Sequence, residues 1–68
     1  MSVARITEIS SVSSQSFEAA IRDGIERASQ TLRGITSAWV KEQRVTVEGG
    51  KITGYQVNLL VTFVLEGG

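Results

Sequence analysis

The chain has 68 residues, seven basic and seven acidic, with zero formal net charge and neither Cys nor His. These counts exclude disulfides, thiolate zinc sites and Ser–His–Asp or Cys–His catalysis, and the absence of any basic run argues against nucleic acid as a partner. No apolar segment approaches the roughly eighteen residues of a membrane span, and no leader-like segment opens the chain, so it reads as one soluble, cytoplasmic domain over residues 1–68.

Residues 3–10, VARITEIS, mix β-branched and polar side chains as a strand does. In the serine-rich stretch that follows, Ser13 is the expected N-cap, its hydroxyl accepting from a first-turn amide. From Ser14 to Arg33 the apolar residues Phe17, Ile21, Ile25, Ala28 and Leu32 recur every three or four positions. That spacing predicts an amphipathic helix whose other face carries Glu18, Arg22, Glu26 and Arg33. Gly34 stands where a left-handed C′ residue belongs.

After Gly34 the period becomes two. Residues 35–47 predict a strand and EGGK, residues 48–51, a glycine hairpin turn. From Ile52 to Glu66, Tyr55, Val57, Leu59, Val61, Phe63 and Leu65 form a core face. Gln56, Asn58, Leu60, Thr62 and Val64 form the other. The second face, with Leu60 and Val64 among polar residues, suits a subunit contact. The expected fold class is α+β: β-α-β-β, one helix packed on a three-stranded antiparallel sheet. A domain this small, without disulfide or metal, is expected to gain stability by self-association.

The carboxylates Glu8, Glu18, Asp23, Glu26, Glu42, Glu48 and Glu66 form no recognisable acid–base or calcium-loop pattern. EGGK lacks the spacing of a P-loop. Attention falls on Trp39, the single tryptophan. Strict alternation directs Ser37, Trp39, Lys41 and Gln43 one way and Ala38, Val40, Glu42 and Arg44 the other. With Val40 toward the helix, Trp39 faces away from it, as Gln56 does. Two roles fit an outward Trp39: plugging an oligomer interface, or stacking a planar heterocycle whose anionic tail meets a nearby Arg.

The order, length and spacing of FEAAI (17–21), ERASQTLRGI (26–35) and YQVNLLVTFVLE (55–66) resemble the dodecin family. The resemblance implies a hollow homododecamer built from trimers, without catalytic activity, that binds and stores a flavin, FMN or riboflavin. In such proteins flavins lie between symmetry-related tryptophans, and a Gln bonds the ring edge. Gln56 matches that Gln and Arg44 a basic residue near the ligand. Arg27 and Arg33 match positions that meet phosphate-bearing cofactors in some members. An ungapped alignment puts Ser37, not Trp39, at the stacking position, Thr36 at an acidic position before it, and Val64 at a usual Arg. Trp39 keeps the parity of the missing Trp, about 6.6 Å further along the strand. The alternative that the resemblance implies is a flavin-free shell holding calcium or other ions on its symmetry axes, in line with VKEQ (40–43) and GKIT (50–53).

Overall fold

The computed structural model describes residues 3–65 as β1 (Ala4–Ser13), α1 (Phe17–Thr31), β2 (Ile35–Glu48) and β3 (Lys51–Val64). The sheet is antiparallel with order β1-β3-β2, so the last strand is central. This is the β-α-β-β, α+β fold expected from the sequence.

Several boundaries move. The serine run is largely strand, carrying β1 to Ser13, which pairs with Tyr55. Ser13 is therefore not the helix cap: its Oγ accepts from the Gln15 N–H at 3.0 Å and turns the chain. Ser16 caps α1, accepting the Ala19 N–H at 3.0 Å, and the helix runs from 17 to 31 rather than 14 to 33. Gly34 has the expected positive φ, 75°, but the C-cap is the extended Leu32, so Gly34 lies one residue beyond C′. A Cβ there would come within 3.0 Å of the Val64 carbonyl oxygen. The glycine thus lets the chain leave the helix against the end of β3, where Val64 N–H donates to the Gly34 carbonyl at 3.0 Å. Gly49 and Gly50, with φ of 58° and 77°, close the two-residue β2–β3 turn. Glu66 of the expected last strand lies outside the described residues, and Leu65 follows the strand's end instead of joining its core face.

α1 packs over β1 and β3 and reaches little of β2. Val57, Leu59 and Val61 of β3, together with Ala20, form the buried centre. Ile9, Phe17, Ile21, Ile25 and Ile35 pack around it. Phe17 meets Tyr55 edge to face, ring centres 5.1 Å apart. The alternation in β3 therefore identified the strand's share of the core, and the helical stripe placed Phe17, Ile21, Ile25 and Ala28 on the right side. The wholly buried Ala20 and the buried Gly24 lay outside that stripe, however, and Leu32 is not in the core cluster. Gly24 permits a close helix–strand approach: an added Cβ would fall 3.0 Å from Ser11 Cβ and 3.4 Å from Leu59 Cδ1. Gly24→Val is expected to destabilise the fold by about 1–3 kcal/mol through overpacking, despite any gain in helix propensity. Urea denaturation checks this; a stability equal to wild type would contradict it.

β2 is left bare. Every residue of it except Ile35 is exposed. On the helix side of the hairpin Val40, Val45, Val47 and Ile52 are uncovered. An open groove of about 410 Å³ along Ile21, Ile25, Ile35 and Ala38 marks where the helix stops short of β2. The chain extends over 52 × 19 × 13 Å with a radius of gyration of 14.0 Å, against about 11 Å for a compact domain of this length. Its accessible surface is 4917 Å², against about 4,200 Å² for a free-standing protein of this mass. Among the described residues no helix is long and apolar enough to cross a membrane.

One expectation about β2 is overturned. Strict alternation separates Glu42 and Arg44 from Trp39 and puts Gln43 beside it. The pairing shifts register between Val40 and Glu42: Val40 opposes Leu59, whereas Glu42 opposes Asn58. Lys41 is the extra residue of a β-bulge, and beyond it every side chain changes face. Glu42 and Arg44 thereby join Trp39 on the side away from the helix. Gln43, opposite Val57, goes to the helix side.

Candidate functional site

The face of the sheet turned from the helix is built in rungs, because directly opposed residues of antiparallel strands share a face. Val12, Gln56 and Arg44 make one rung, and Ser10, Asn58 and Glu42 the next. Glu8, Leu60 and Trp39 follow, then Ile6, Thr62 and Ser37. The bulge places Arg44 directly across from Gln56. Lys41 Nζ, at the bulge, donates to Glu8 Oε1 of β1 at 3.2 Å. Both partners of that ion pair are about half exposed, so it orders the surface more than it stabilises the fold.

Four predicted residues, Ser37, Trp39, Arg44 and Gln56, thus lie on one face, though not in one cluster. Trp39 is two rungs from Gln56, about 14 Å along the strands at roughly 3.4 Å per residue. Ser37, opposite Thr62, lies further from Gln56 still. The Trp39 side of the face is mixed, with Leu60 and Ile6 among Glu8, Thr62 and Ser37, and Trp39 itself is 48% exposed. The Gln56 side is polar. Gln56 Nε2 donates to Ser10 Oγ at 3.0 Å and to Asn58 Oδ1 at 3.4 Å, and Asn58 Nδ2 donates to Glu42 Oε1 at 3.0 Å. One end of the face thus carries an indole and the other a carboxamide paired across the strands with an arginine.

Arg27 and Arg33 are elsewhere. Arg27 lines an open groove of about 560 Å³ between α1 and β1, with Ser11, Asp23 and Thr31. Arg33 is exposed in the turn after the helix. Within one chain neither belongs to the outer sheet face. Among the described residues no group of three or more Asp or Glu side chains gathers as an ion site.

Sequence reasoning passed over Ser10, Glu42 and Asn58. The signal for Asn58 was available, since two carboxamides two residues apart in YQVN share a face. Glu42 was hidden by the bulge. Ser10, although it lay in the expected strand, carries no signal that pairs it with Gln56, because its place opposite Asn58 depends on the β1–β3 register.

The sequence profile described as Dodecin matches residues 3–66. Among curated proteins no significant match is found. Among solved structures, a dodecin from Streptomyces davaonensis is 38% identical with a TM-score of 0.91, the match covering 96% of each chain. An arginine-to-alanine mutant of the Thermus thermophilus dodecin is 37% identical with a TM-score of 0.92 over 100% of both chains. The calcium-chelating immunodominant antigen, calcium dodecin, from Mycobacterium tuberculosis is 31% identical with a TM-score of 0.81. That match covers 97% of this chain and 94% of that one.

Proposed function

The chain belongs to the dodecin family, and from that premise we propose that it is a non-catalytic protein that binds and stores a flavin, FMN or riboflavin, within a hollow homododecamer. The observation that carries the reading is the bulge at Lys41, which gives Trp39, Arg44 and Gln56 a common face. Trp39 supplies an aromatic surface for a flavin ring, Gln56 a hydrogen bond to the ring edge, and Arg44 a charge for a phosphate tail. Ser37 leaves space where the family's stacking tryptophan stands. The stack therefore forms one pleat further along. Because Trp39 and Gln56 are two rungs apart, a ring stacked on one chain's indole takes its edge contact more readily from a second copy.

Assembly is supported independently. The bare faces of β2, the excess surface and the extended shape support a reading in which other copies cover the chain's exposed hydrophobic surfaces. Arg27 and Arg33 have a separate role in this reading, as phosphate contacts between subunits. The protein works in the cytoplasm, where flavin cofactors are used.

The test is titration of riboflavin and FMN into the assembled protein, followed by flavin fluorescence. Saturable quenching is expected. Trp39→Ala is expected to weaken it about twofold to tenfold, from the roughly 0.5–1.5 kcal/mol of an aromatic stack, and Gln56→Ala by a similar factor for one net hydrogen bond. Absence of quenching by the intact assembly would overturn the reading. A second reading, a flavin-free shell that holds calcium, is favoured by the likeness to the calcium dodecin. Lacking an acidic cluster within the described residues of one chain, it needs carboxylates from several copies. Saturable calcium binding without flavin quenching would select it.

A further inference from the structure

Hydrogen bonds on the outer sheet face run in one direction, and they begin at a group that cannot reverse. A carboxylate only accepts, whereas a carboxamide donates from one end and accepts at the other. Glu42 Oε1 accepts from Asn58 Nδ2 at 3.0 Å. That contact turns Asn58 Oδ1 toward Gln56, where it accepts from Nε2 at 3.4 Å. The same Nε2 donates to Ser10 Oγ at 3.0 Å. The donor end of Gln56 is thereby occupied, while its Oε1 accepts no hydrogen bond among the described residues. No buried side-chain nitrogen or oxygen among them lacks a partner, so the unpaired Oε1 faces solvent.

We infer that Glu42 and Asn58 are positioning residues that hold the Gln56 carboxamide with its acceptor outward, so that the site selects a planar heterocycle presenting a ring N–H donor at its edge. This rests on the flavin reading above and deepens it. Riboflavin carries such a donor at the imide nitrogen between its two ring carbonyls. An analogue methylated at that nitrogen has only acceptors along this edge, and acceptor would face acceptor. Ser10 carries no direction in the relay, because a hydroxyl donates or accepts equally well. Glu42 is the determinant: replaced by Gln, its new amide can donate to Asn58 Oδ1, so that Asn58 and then Gln56 are free to turn over.

The experiment compares riboflavin with its N3-methyl analogue by fluorescence quenching in wild type, Glu42→Gln and Ser10→Ala. It is paired with side-chain amide 15N–1H spectra of the ligand-free assemblies. Wild type is expected to prefer riboflavin by about tenfold to a hundredfold, the cost of a buried polar group left unpaired. Ser10→Ala is expected to keep that ratio, and Glu42→Gln to lower it to within about threefold. A ratio unchanged in Glu42→Gln would overturn the inference. The ligand-free spectra decide it even without flavin binding. Shifted Asn58 and Gln56 amide resonances with faster exchange in Glu42→Gln support the relay, and unchanged resonances refute it. Shifted resonances in a protein that quenches no flavin would uphold the relay and overturn the flavin reading alone.

Discussion

Leu59→Ala is expected to cost about 2–5 kcal/mol, the usual penalty for truncating a buried leucine. Leu59 is 1% exposed on the central strand, opposed by Ile9 of β1 and Val40 of β2, and it lies under Gly24, where the helix comes close to the sheet. The neighbours have little means of collapsing into the space. Backbone hydrogen bonding fixes both flanking strands, and the helix is already as near as Gly24 allows. A domain of this size draws no more than about 3–5 kcal/mol from its core, so this single change removes most of what the isolated chain has. The variant is expected to fold only as far as association holds it. Its denaturation midpoint should then rise with protein concentration, because binding to other copies adds free energy by mass action. Circular dichroism during guanidinium denaturation at two concentrations checks this. A loss below about 1 kcal/mol, in the range of a surface substitution, would show that Leu59 is not central to the core.

The second large effect concerns the proposed assembly. Val45 and Val47 lie on the helix side of β2, beyond the reach of α1, and Val47 is 57% exposed. In a lone chain, aspartates at both positions would sit in water at little cost. Covered by another copy, each would become a buried unpaired charge costing several kcal/mol, repeated at every equivalent contact of a symmetric oligomer. Val45→Asp with Val47→Asp is therefore expected to dissociate the particle to small species at micromolar concentration. Arg22→Asp, on the exposed face of α1 where its ion pair with Glu18 is fully surface-lying, is expected to leave the mass unchanged. Analytical ultracentrifugation measures both. A double aspartate variant that sediments at wild-type size would mean this face is not an interface.

Much of the fold was legible because its signals are local. The three-to-four spacing from Phe17 to Leu32 requires only the helical period, and the alternation from Tyr55 to Phe63 only the pleat. The Gly49–Gly50 turn needs only two residues able to take positive φ. Helix capping was harder. Ser13, Ser14 and Ser16 are all chemically able to cap, and what separates them is the pairing of Ser13 with Tyr55 forty-two residues away.

The candidate site divides along the same line. Composition, periodicity and turn chemistry by themselves determined the α+β order, the core face of β3, the outward direction of Trp39 and Gln56, and a surface too apolar for a solitary domain. Only the tertiary structure decided that Glu42 and Arg44 share that outward face, that Glu42 reaches Gln56 through Asn58, and that Arg27 and Arg33 lie apart from it. The reason is the bulge at Lys41. A bulge is a property of how two strands pair, set by the register of β2 against β3. One extra residue reverses the face of everything after it, and no feature of the residues from Val40 to Arg44 announces where it falls.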